Sequence, residues 1–110
     1  MQNERSVAWS ELRTSSILPE RRSYHTACAL GGVMYIYGGY DIKEGDRGNL
    51  YFVNVEDDEP KWVRPTLKGD LPTGLSRHSA VVYEKRLYVL GGESSSSQSR
   101  AFFYIDLGTF

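Results

Sequence analysis

With one cysteine, Cys28, the sequence has no intrachain disulfide to staple its fold, and a reducing compartment is the natural setting for it. It also lacks a dominant charge. Thirteen Lys and Arg against fourteen Asp and Glu leave a net charge of -1, so the chain as a whole carries no electrostatic footprint for nucleic acid or an anionic membrane. No stretch approaches the roughly 18 consecutive apolar residues that a membrane-spanning helix requires, and the opening Met1-Gln2-Asn3-Glu4-Arg5-Ser6 holds no apolar run of the kind a leader uses. The expectation is a soluble cytoplasmic chain with neither nucleic acid nor membrane among its partners.

The motifs of common site chemistry are missing as well. There is no H-E-x-x-H pattern and no cysteine pair to supply a zinc shell. The glycine-rich stretch from Gly31 to Gly39 lacks the G-x-G-x-x-G spacing of a dinucleotide loop, and no helical pattern follows it. No cofactor and no metal are therefore expected.

What the sequence does have is a repeat. Shifted by 53 residues, Trp9 falls on Trp62, Leu18 on Leu71, Pro19 on Pro72, Ser23 on Ser76, His25 on His78, Ala27 on Ala80, Tyr35 on Tyr88, and Gly38-Gly39 on Gly91-Gly92. Beyond the glycines the offset falls to 52, which sets Leu50 to Val55 against Phe102 to Leu107 and places a one-residue deletion in the intervening loop. A repeat with a period near 50 residues points to a solenoid, an array or a propeller.

Inside each unit the apolar residues come in short runs rich in Tyr, Val, Ile and Phe, bounded by Gly, Pro, Asp and Ser, and these read as strands. The complete unit predicts strands over about Tyr24 to Leu30, Val33 to Tyr37, Leu50 to Val55 and Lys61 to Pro65. Gly31-Gly32 forms the first hairpin, because glycine supplies the positive φ that such turns demand. Runs such as Met34-Tyr35-Ile36-Tyr37 are apolar on both faces, the pattern of a sheet covered on both sides. Four antiparallel strands, repeated and stacked on their neighbours, describe a propeller blade.

These residues resemble kelch repeats, whose signature is a His in the first strand, Gly-Gly closing the second, an aromatic third strand and a Trp opening the fourth. Here the matching residues are His25, Gly38, Gly39, Tyr51 and Trp62, then His78, Gly91, Gly92 and Phe103. The long linker from Trp62 through Asp70-Leu71-Pro72 to His78 is similar to that of stand-alone kelch proteins such as host cell factor and muskelin. Pro19, Arg22 and His25 match the family's Pro-x-x-Arg-x-x-His, whereas the second copy has Leu75 in the Arg position. The fold implied is all-β, a kelch-type β-propeller fragment of about two four-stranded antiparallel blades. Residues 1-12 would hold an outer strand of a neighbouring blade, led by Trp9 around Val7 to Leu12, with a complete blade over 13-66 and a second blade over 67-110 that lacks its outer strand.

The repeated residues Trp9, Trp62, His25, His78, Tyr51 and the glycine pairs read as architecture, because chemistry seldom recurs at every repeat of a scaffold. Cys28 reads as a small buried hydrophobe, and the acidic turn Glu56 to Glu59 and the serine run Ser94 to Ser97 as solvated loops. The resemblance implies a scaffold or adaptor for a protein or peptide partner and not an enzyme. The alternative is part of a kelch-fold enzyme, galactose-oxidase-like or sugar-processing, with its active site mostly outside this chain. Strand alternation puts the second-to-third and fourth-to-first connections on one face, and there Arg22, Lys43, Arg47, Arg77 and Arg100 are the candidate partner-binding residues. Two blades cannot close a ring, so further kelch blades are expected, in a longer parent chain or in neighbouring copies.

Overall fold

The computed structural model describes residues 5-15, 17-69, 74-94 and 97-109. Asp70, Leu71, Pro72, Ser95 and Ser96, which the repeat, linker and loop readings used, lie outside these. Eleven strands occur among the described residues: β1 Thr26–Leu30, β2 Val33–Tyr37, β3 Tyr40–Asp41, β4 Gly45–Asp46, β5 Leu50–Asn54, β6 Trp62–Val63, β7 Ser79–Tyr83, β8 Arg86–Leu90, β9 Glu93–Ser94, β10 Ser97–Gln98 and β11 Phe102–Asp106. A single 3-10 turn, Leu107–Thr109, is their only helical element.

The first blade is the antiparallel sheet β1-β2-β5-β6, with Cys28 opposite Tyr35, Tyr35 opposite Phe52, and Val53 opposite Trp62. The second is β7-β8-β11, with Val81 opposite Tyr88 and Tyr88 opposite Tyr104. In each blade the first two strands join through two residues. Gly31 takes φ +60° in the first turn, while Glu84 and Lys85 take +47° and +65° in the second, and positive φ matches the turn to the strands' right-handed twist.

Where the strands are shorter than expected, a local cause is visible. β1 starts at Thr26 because Tyr24 sits at φ +60°, outside the extended region. β5 stops at Asn54, whose side-chain oxygen accepts the Glu56 backbone N–H at 2.9 Å and starts the turn. β6 shrinks to Trp62–Val63 between Pro60 and Pro65, neither of which has a backbone N–H to donate. The hairpin β3-β4 lies in a stretch expected to be irregular. It closes because Asp41 Oδ2 accepts the N–H groups of Lys43 and Glu44, both at 3.2 Å, with Gly45 at φ +79°.

No strand forms over residues 5-15, which corrects the expectation of one around Val7 to Leu12, and Trp9 is 98% exposed. A strand is stable only against a partner ladder, and this segment makes none with either blade.

The core lies between the blades. Tyr37 and Leu50 from the first sheet meet Leu75, Leu87 and Val89 of the second unit, joined by Ile105 and Leu107. The Tyr37 ring stands edge-on to His78 at 5.3 Å and to Phe103 at 6.0 Å, geometries that aromatic quadrupoles favour. Cys28 is half-buried in this seam with its thiol 3.7 Å from the Ala80 carbonyl, and burial pushes the thiol pKa up.

Candidate functional site

The connections expected to share a face are tied together at one end of the sheets. Ser23 exchanges backbone hydrogen bonds with Tyr40 (2.9 and 2.7 Å), and Ser76 does so with Glu93 (3.0 and 2.8 Å), so each fourth-to-first linker is stitched to the second-to-third loop of its own blade. The blades are stitched to each other there as well. Gly39 N–H donates to the Leu75 carbonyl at 2.8 Å, Leu75 N–H to Arg47 at 2.9 Å, and Arg77 N–H to Tyr24 at 2.9 Å.

The candidate arginines separate by burial. The side chain of Arg22 is only 3% exposed, and its Nη1 donates to the Gly38 carbonyl and to Asn49 Oδ1, both at 3.0 Å. Its Nη2 lies 3.3 Å from Glu20 Oε2, and the guanidinium stands 5.1 Å from the centre of the Tyr51 ring. Arg22 thus leaves the set of partner-facing candidates, because its planar fork is used up inside its own blade. Arg47 is 12% exposed and sits 3.7 Å from Glu20 and 3.6 Å from Asp41. Glu20, which also accepts the Tyr51 hydroxyl at 2.9 Å, is therefore the shared acceptor of the cluster. That hydroxyl is the main cause of a carboxyl pKa below its ordinary value, with Arg47 and Arg22 adding to the effect.

Lys43, Arg77 and Arg100 are exposed. Arg77 lines a cleft of about 740 Å³ with Tyr24, Tyr40, Glu44, Asp46 and Glu93. Its guanidinium stacks over the Tyr24 ring at 4.0 Å, and Asp46 accepts the Ser76 hydroxyl at 2.6 Å. Tyr24 and Arg77 occupy the same repeat position and both adopt left-handed backbone, at φ +60° and +57°. For a residue with a Cβ that conformation costs about 1–2 kcal/mol, and such strain concentrates at functional sites. Sequence reasoning passed over Tyr24, Tyr40 and Glu93; the shared register of Tyr24 and Arg77 was the available signal.

The repeated His and Gly residues meet across the seam. His78 Nε2 hydrogen-bonds Thr26 Oγ1 at 2.7 Å, and its ring fills the space that a Cβ on Gly38 would need. His25 is exposed. Burial pushes the His78 pKa below its ordinary 6.5, with the Tyr37 backbone opposing and His25 reinforcing the shift. The unfolded chain then binds the proton more readily than the fold does. Stability on this account is complete above about pH 6.5 and is lost as pH falls below it toward the lower folded value. Urea midpoints measured across this range should decline for the parent chain and stay level for His78→Gln; equal slopes would show that His78 is not the group responsible. Glu20 acts in a separate window, below about pH 4.5.

The profile of the KLHDC2/KLHL20/DRC7 Kelch-repeats domain matches residues 1–110. The chain is 35% identical over 96 residues to "Rho GTPase-activating protein gacHH" of Dictyostelium discoideum, a match covering 84% of this chain and 6% of that protein. It is 33% identical over 86 residues to "Kelch domain-containing protein 3" of Rattus norvegicus, covering 78% and 22%. With "Kelch domain-containing protein 2" of Mus musculus it shares 29% over 96 residues, covering 80% and 23%. The chain thus spans less than a quarter of the length of each of these relatives. Two antiparallel blades, stacked so that the histidine of one lies against the first glycine of the other's Gly-Gly pair, agree with that profile match: the chain belongs to the kelch-repeat family and is a kelch-type β-propeller fragment.

Proposed function

We propose that this chain is part of a cytoplasmic, non-catalytic scaffold or adaptor that takes a protein or peptide partner at the end where the second-to-third and fourth-to-first loops meet. Membership of the kelch family supports a protein-interaction role. The cleft framed by Tyr24 and Arg77 carries the choice of face, because an exposed guanidinium is held there by stacking on Tyr24 and the acidic Glu44, Asp46 and Glu93 converge on the same wall. Concave sites with convergent polar groups on a rigid framework are where ligands bind. The residues that face the partner are Arg77, Lys43 and Arg100, with Tyr24, Tyr40 and Glu44 beside them. The reading includes further kelch blades flanking these two, in a longer chain or in neighbouring copies, and the exposed apolar residues of the second blade support it.

A photo-crosslinking side chain placed at residue 77, 44 or 100 should capture the cellular partner, and the same group at residue 57 or 85, in turns at the other end, should not. Arg77→Gly should weaken capture from residue 44 while leaving the urea midpoint nearly unchanged, since relief of backbone strain offsets the lost stacking on Tyr24. Capture from residues 57 and 85 alone would place the partner on the opposite end and remove this reading.

A further inference from the structure

The cleft between the blades holds more negative charge than positive, and its charges do not neutralise one another. Glu44, Asp46 and Glu93 line it with Arg77, three carboxylates against one guanidinium. Asp46 accepts the Ser76 hydroxyl at 2.6 Å. Among the described residues neither Glu44 nor Glu93 has a cation within ion-pair distance, and Arg77 has no carboxylate within that distance either. The Arg77 guanidinium lies over the Tyr24 ring at 4.0 Å instead. Arg21 and Lys43 border Glu44 in the adjoining hollow without pairing with it.

Carboxylates on an open surface are simply solvated. These stand in a cleft of about 740 Å³ walled by both blades, a size that takes a ligand, and Glu93 is half-buried there. A partly buried charge without a counter-charge is less stable than a paired one, so the cleft favours an occupant that brings a cation. A bare metal ion does not fit, because no three acidic, His or Cys side chains among the described residues converge closely enough to hold one. A guanidinium does fit. Its N–H groups fan out over separated acceptors, and its flat face stacks on tyrosine. The cleft displays that stacking once already, between Arg77 and Tyr24, and the exposed Tyr40 supplies a second ring at its wall.

We propose that this cleft receives an arginine side chain from an extended segment of the partner protein. Glu93 and Glu44 accept its guanidinium, Tyr40 stacks against it, and Arg77 donates to a main-chain carbonyl of the same segment. Arg77 takes a neutral carbonyl because an acidic side chain brought to it would also face the three carboxylates of the cleft. The proposal rests on the partner-binding reading of this face and goes beyond it in giving the chemistry of the partner.

Titration of the isotope-labelled 110-residue chain with the peptide Ac-Gly-Ser-Gly-X-Gly-Ser-Gly-NH2, where X is arginine, citrulline or glutamate, tests this by amide resonance shifts. Both peptide termini are blocked, so only the central side chain carries charge. The arginine peptide should shift Tyr40, Glu44 and Glu93 saturably, and the citrulline peptide, of the same shape but neutral, should bind about tenfold more weakly. Glu93→Gln should reduce arginine binding to the citrulline level and leave citrulline binding unchanged, and Glu44→Gln gives the same comparison at an exposed position. Arg77→Gly should weaken both peptides by the same factor, as loss of a main-chain contact does. Equal binding of arginine and citrulline, tighter binding of glutamate, or no saturable shift at the cleft with any peptide would overturn the proposal. Photo-capture from residues 77, 44 and 100 tests the face alone. Capture that succeeds where the peptides fail removes only the arginine; failure of both removes the face as well.

Discussion

Gly38→Ala is expected to destabilise the chain by about 3 kcal/mol, and Gly91→Ala, at the same place in the repeat, by only about half as much. Both glycines hold left-handed backbone, φ +69° and +73°, so both substitutions incur the same conformational penalty of about 1–2 kcal/mol. They differ in what the new methyl meets. At Gly38 it runs into the His78 ring and the Leu75 carbonyl, and a carbonyl fixed by two interblade hydrogen-bonded neighbours cannot withdraw cheaply. Forcing an extra carbon into a packed seam costs about 1–3 kcal/mol more. Urea denaturation of the two variants beside the parent chain makes the comparison. Equal losses would mean that the blades do not press together at Gly38.

Arg22→Ala should cost about 2–4 kcal/mol, more than a surface arginine ever does. The guanidinium is nearly sealed, and its loss leaves the Gly38 carbonyl and Asn49 Oδ1 without their donor in a part-buried site. Glu20 limits the damage because it is half exposed and water can replace the ion pair. Arg22→Lys should recover little, since a single ammonium cannot reach Gly38, Asn49 and Glu20 together. Arg100→Ala is the control, exposed and expected within about 0.5 kcal/mol of the parent. If Arg22→Ala denatures at the same urea concentration as Arg100→Ala, the network is ornamental.

These two residues also show how far the sequence could be read. Gly38 was legible because it recurs at Gly91, and a repeated glycine at a strand end implies a backbone constraint. Its equivalent is empty here, however, so the repeat alone could not say which of the two glycines is under load. Arg22 was misjudged for a related reason. An arginine in a loop looks like a surface charge until Asn49 and Tyr51 at the start of β5, and Glu20 of its own linker, are seen to enclose it. The short hairpin β3-β4 escaped notice because two-residue strands leave no periodicity, only the Asp41 turn chemistry that closes them.

By itself the sequence determined the all-β class, the two-blade organisation, the tight turn between the first two strands of each blade and the family, since each is encoded locally by strand-forming runs, turn residues and a 53-residue period. Tertiary structure decided which member of each repeated pair is buried, which arginines are enclosed, and that no strand forms around Trp9. Those outcomes depend on what packs against a residue. Identical sequence positions in the two blades have different neighbours, because one blade is covered by the other and the other is not.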